Sequence, residues 1–213
     1  MIGQARIRNL VIKSLKSSVE FCDFKVGKNF IIHNDLEIEH KVVITSGKFK
    51  HGICIRVELQ NTDPVIEDFL CRHNLTDSTG RITSGLELDQ VNPTRDLPQG
   101  YWLLDQNYES FVRSIIDDVV SFGLPYFSMN NSRVEIYNIL VKDNAFSWIN
   151  QPRHYERGIR LICMAIALGR TISEIKTVED LITNRIKSSE WQSADRFRDS
   201  IERILKSSAE LHK

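Results

Sequence analysis

The residues whose types and spacing could do chemistry lie mainly in one run, Asp35-Leu36-Glu37-Ile38-Glu39-His40-Lys41. Glu39 and Lys41 are two positions apart, so on a strand they share a face. Two carboxylates beside a lysine can gather a divalent metal next to a phosphate and hold the lysine near the attacking water. Asp35 or Asp23 could offer the second carboxylate. The alternative is that Glu37, Glu39 and Lys41 form the wet side of an amphipathic strand. Of the six histidines, none stands in HExxH or another close ligand pair. His40 falls at apolar parity and is expected as a hydrogen-bonded core histidine. No GxSxG elbow, GxGxxG or GxxxxGK loop is present. The sequence therefore points to no cofactor and no bound metal.

These residues need a scaffold, and its clearest part is the stretch from Tyr101 to Phe127. Phe111, Val112, Ile115, Ile116, Val119 and Phe122 make a helical stripe behind Asn107 as N-cap. Gly123 is expected to end that helix in a left-handed conformation, with Pro125 preventing continuation. An earlier helix places Ile7, Leu10, Val11, Leu15 and Val19 on one face. A strand broken at Gly27, a turn at Asn34-Asp35 and alternation at Leu36, Ile38, His40, Val42 and Ile44 follow. After turns at Ser46-Gly47 and His51-Gly52, Ile53, Ile55, Val57 and Leu59 alternate with polar residues. Three runs joined by short turns make an antiparallel meander, and helices must cover its apolar face.

Asp63-Pro64 opens a short helix, Leu86 to Val91 can add a strand, and Ser132 caps a further helix. Beyond Pro152 the chain reads as all helix, with Gly169 ending the segment from Tyr155. Trp191, Phe197, Ile201, Ile204, Leu205 and Leu211 are expected on the buried stripe of the last helix. The fold class expected is α+β: an antiparallel meander packed against helices over residues 1–150, and an all-helical part, 151–213, packed on it.

Lys plus Arg balance Asp plus Glu at 28 each, so no overall field draws the chain to nucleic acid or an anionic membrane. Arg153, Arg157 and Arg160 surround Tyr155, but interleaved acids favour a solvated, salt-bridged surface for them. The opening lacks a signal-peptide run, and no stretch reaches the length of a membrane span. A cytoplasmic protein with no membrane partner is expected. Cys22, Cys54, Cys71 and Cys163 lack metal or redox spacing and are read as reduced, mostly buried side chains.

Phe24 and Phe30, then Trp102 ahead of a helix, then Gly123-Leu124-Pro125 and Phe127 resemble the signature of a bacterial family of uncharacterised helix-plus-sheet domains. The resemblance spans residues 5–140 and implies a small accessory protein, some members being similar to immunity proteins of toxin systems. It brings no catalytic motif. The reading adopted is a non-enzymatic protein-binding module of the inhibitor or immunity type, with a protein partner such as a toxin or enzyme. Asp77, Arg81, Arg95 and Asp96, in the two irregular stretches 74–85 and 92–100, are its expected contact residues. The alternative is a metal-dependent nuclease resembling the restriction-endonuclease-like type, with Asp35, Glu39 and Lys41 as catalytic residues.

The alternation from Ile53 to Leu59 makes the strand assignment testable. Ile55→Ala is expected to cost about 2–4 kcal/mol in denaturant titrations, and Glu58→Ala under about 0.5 kcal/mol. Equal small losses would remove the strand.

Overall fold

The computed structural model describes residues 3–50, 52–76, 81–92, 100–103 and 107–212. In chain order the elements are α1 (Gln4–Ser17), β1 (Lys25–Val26), β2 (Phe30–Asn34), β3 (Glu39–Phe49), β4 (Gly52–Thr62), α2 (Pro64–Arg72), β5 (Ser84–Glu87) and β6 (Tyr101–Leu103). Then come α3 (Tyr108–Asp118), α4 (Leu124–Ser128), α5 (Arg133–Leu140), α6 (Ala145–Asn150), α7 (His154–Ala167), α8 (Ile172–Ser189) and α9 (Ala194–Lys206). The fold is α+β: one antiparallel sheet, ordered β1-β2-β3-β4-β5 with β6 also paired to β4, and helices through the C-terminal part. Among the described residues, no helix is long and apolar enough to cross a membrane.

Two compact units result. One comprises Met1–Asn61 with Gly85–Asn130, the other Thr62–Ser84 with Asn131–Lys213. None of the three junctions falls near residue 150, where the sequence reading drew its boundary, because α2, α5 and α6 all group with the later helices.

In the first unit, the register pairs Phe30 with Val43, Ile32 with Lys41 and Asn34 with Glu39. One face of the sheet is thereby made of Ile31, Ile38, His40, Val42 and Ile44, with Ile53, Ile55, Val57 and Leu59 in β4, all buried. Ile7, Val11 and Leu15 of α1 are fully buried and pack on this face. Five expectations are corrected. β3 runs straight through Ser46-Gly47 to Phe49, so the reversal comes only after it. Leu36, in the turn before β3, is fully exposed, and α1 stops at Ser17, leaving Val19 exposed. Gly123 is right-handed helical rather than left-handed. The chain crosses Val119–Gly123 as one π-type turn and continues into α4, with Pro125 in its first turn. Pro125 follows that turn and the chain stays helical through it, so the proline does not stop the chain. Gly123 instead allows close approach: a Cβ would lie 3.3 Å from Leu59.

In the second unit, Asp63 caps α2 by accepting from the Val65 and Ile66 N–H groups at 3.1 and 3.2 Å. Its carboxylate also takes a bidentate guanidinium, from Arg133 Nε at 2.6 Å and Nη2 at 3.1 Å. One turn on, Glu67 accepts from Arg160 Nε at 2.8 Å and Nη2 at 3.1 Å, while Arg160 Nη1 donates to Glu156 at 2.7 Å. Glu67 is fully buried and Arg160 almost so. Burial alone would favour a neutral guanidinium, but Glu67 and Glu156 outweigh it and raise the Arg160 pKa. Arg157 is also fully buried and donates to Asp143 at 2.6 Å. Arg157 and Arg160 are therefore not a solvated surface, and that expectation is overturned for them, while Arg153 stays exposed: Asp143 and Glu67 reach them from outside α7, and Glu156 pairs with Arg160 within it. Trp191 is 71% exposed and Leu205 half-exposed. The buried stripe at the end of the chain is Phe197, Ile201, Ile204 and Leu211.

Removing one member of a desolvated pair strands the other. Arg160→Met should cost about 3–5 kcal/mol, and the double variant Arg160→Met/Glu67→Leu markedly less than that single change. Urea titration of both variants checks it; a double variant weaker than the single would refute the coupling.

Candidate protein-binding face

The strand parity that buries Val42 and Ile44 turns Phe30, Ile32, Glu39, Lys41 and Val43 to the opposite side, where each stays half-exposed. Trp102 pairs with Cys54 and joins the same face from β6. Phe49 continues it at the end of β3. Its ring lies 5.1 Å from that of Trp102, and the two residues are 52% and 37% exposed. Glycines give these aromatics their seats. A Cβ at Gly27 would lie within 2.6 Å of the Phe30 ring, and one at Gly47 would lie 2.8 Å from that of Phe49. Lys41 sits over Phe30, its Nζ 5.2 Å from the ring centre. Arg56 and Glu87 approach to 3.9 Å. The result is an apolar, aromatic-bearing sheet face with charges of both signs around it.

Glu39 and Lys41 belong to this face as neighbours, paired at 3.3 Å and 27% and 24% exposed. Asp35 is held in the β2–β3 turn, its Oδ1 accepting from the Leu36 N–H at 2.7 Å. Among the described residues, no group of three His, Cys, Asp or Glu is placed to hold a metal ion. Of the expected loop contacts, Asp77, Arg95 and Asp96 lie outside the described residues. Arg81 lies in the other unit and pairs with Asp68 of α2 at 2.5 Å. The exposed Phe49 and Trp102 pair was not singled out from the sequence; the run of Trp102 beside an exposed strand end was its only signal.

Behind the face, His40 Nδ1 lies 2.8 Å from the Asn61 carbonyl oxygen, and Asn61 donates to the Tyr126 hydroxyl at 3.0 Å. The His40 ring also lies 4.8 Å from that of Phe127. His40 is thus the hydrogen-bonded core histidine expected. The four cysteines are free; Cys54 and Cys163 are buried, and Cys22 is exposed rather than packed. No family model, curated protein or solved structure matches the chain.

Burial is the main reason the His40 pKa falls below the ordinary histidine range, with the Asn61 bond opposing it. A ring that binds its proton less tightly when folded contributes stability in full above the ordinary histidine range. That contribution is lost as pH falls, because the unfolded chain takes up the proton first. His154, lowered by burial and by Arg157, acts in the same direction. The melting temperature should therefore drop between about pH 7.5 and pH 5. His40→Gln should show a smaller drop than the parent chain, and an unchanged drop would exclude His40 as a cause.

Proposed function

We propose that this chain is a non-enzymatic protein-binding module that docks its partner on the open sheet face carrying Phe49 and Trp102. The observation that carries the reading is that aromatic pair, both members substantially exposed on a face whose apolar members also include half-exposed Phe30, Ile32 and Val43. Exposing large apolar side chains together forgoes burial worth about 1.5–3 kcal/mol per side chain. Contiguous patches of this kind mark interaction sites, and tryptophan is enriched among the residues that dominate binding energy. Lys41, Arg56, Glu39 and Glu87 supply a polar surround suited to specificity. The inhibitor or immunity role in a bacterial toxin system is the form of this reading that the family resemblance implies.

Affinity capture with the parent chain, followed by reconstitution of the binary complex from purified proteins, tests it. Phe49→Ala/Trp102→Ala should weaken that complex at least about 30-fold, while Ile172→Ala, a still more exposed apolar residue of the other unit, should leave it unchanged. Equal affinities for the parent and the aromatic variant would place binding elsewhere. Cleavage of DNA or RNA with magnesium or manganese that vanishes in both Glu39→Ala and Lys41→Ala would replace the reading with the nuclease one.

A further inference from the structure

The even overall balance of charge hides an uneven distribution. Between positions 6 and 28 stand six cations, Arg6, Arg8, Lys13, Lys16, Lys25 and Lys28, against two acids, Glu20 and Asp23. None of the six is in an ion pair with a described residue, whereas Arg133, Arg157, Arg160 and Arg185 all have carboxylate partners. Folding brings three of them, Lys13, Lys16 and Lys28, together. Lys16 Nζ donates to the Cys22 and Phe24 carbonyls, at 2.6 Å each, tying the last turn of α1 to the segment that enters β1. Beside this tie lies a depression of about 380 Å³, with Ile12 and Val26 as apolar lining and Lys13, Lys16 and Lys28 as its cations.

The chemistry of the lining selects among anions. Lysine ammonium groups are compact point charges that lack the flat fork with which arginine grips phosphate. Among the described residues, no aromatic or arginine side chain lines the depression, so they offer a nucleobase no stacking platform. An apolar floor between ammonium groups instead suits an apolar side chain flanked by carboxylates. The uncompensated cations also repel one another, and an acidic ligand relieves that repulsion on binding.

We propose that this depression docks an acidic segment of the protein partner, seating one apolar side chain between carboxylates. This rests on the protein-binding reading and names the charge of the partner. The test is fluorescence anisotropy with a short labelled peptide alternating Glu and Leu. Its controls are the same peptide with Gln for Glu, a single-stranded oligonucleotide of equal charge, and vesicles containing anionic lipid. The Glu peptide should bind with an affinity that falls as salt is raised. Lys13→Glu/Lys28→Glu should lose at least about tenfold, and Lys48→Glu, another exposed lysine of the same unit, should lose little. Since Lys13 and Lys28 are exposed, both variants should melt like the parent. Equal binding of the Gln peptide, tighter binding of the oligonucleotide or the vesicles, no binding of the Glu peptide, or no effect of Lys13→Glu/Lys28→Glu would each overturn the proposal. If Phe49→Ala/Trp102→Ala loses the captured partner while Lys13→Glu/Lys28→Glu keeps it, the protein-binding reading stands and this docking site falls.

Discussion

The organisation of the second unit depends on one buried ion pair, Glu67 with Arg160. Stripping a carboxylate and a guanidinium of water costs several kcal/mol per ion, and the attraction offsets this only when the geometry is good and the other polar atoms find partners. Both conditions hold. The pair is bidentate, Thr83 donates a further bond to Glu67 at 2.9 Å, and Glu156 takes the remaining side of the guanidinium. The same segment is held again by Asp63 with Arg133, and by the Tyr155 hydroxyl donating to the Leu75 carbonyl at 3.0 Å. The contacts Glu67–Arg160, Asp63–Arg133 and Leu75–Tyr155 each join the stretch 62–84 to helices much later in the chain. This is why the compact units do not follow chain order.

The sheet of the first unit solves a different problem. Its inner side is a conventional apolar surface under α1, with one polar line, His40 to Asn61 to Tyr126, whose members satisfy one another. Its outer side keeps apolar and aromatic residues partly in water. Laying the Phe30 and Phe49 rings over glycines shortens their reach from the sheet and covers backbone. For the docking proposed above, rings already seated on the sheet have little side-chain entropy left to lose, which is where affinity is usually forfeited. The basic depression near the end of α1 adds a feature of a different kind, since charge steers encounter and selects partners more than it holds them.

Much of the fold was legible in the chain because local rules write it. The caps Asp63, Asn107 and Ser132, the alternation from Ile53 to Leu59, and Gly169 with its φ of +66° all act within a few residues of themselves. Parity also placed Glu39 and Lys41 together on one side of a strand and His40 on the other. Misreadings arose where a residue's meaning came from elsewhere. Gly123 looked like a stop because glycine and proline so often are, but the close approach of Leu59 and the π-type turn turn it into a passage between helices.

The amino-acid sequence by itself determined most of the elements, their order and the apolar faces of α1, β3 and β4, since hydrogen-bonding distance and periodicity are properties of neighbours along the chain. Tertiary structure alone decided which charges leave water. Arg157 and Arg160 read as surface residues among interleaved acids, yet the partner that neutralises Arg160 lies 93 positions away and the one that holds Arg133 lies 70 away. It also decided that Phe49 and Trp102 meet, and that Lys13 and Lys16 of α1 line one depression together with Lys28. Desolvation and long-range pairing are set by what folding brings near, and no local pattern encodes them.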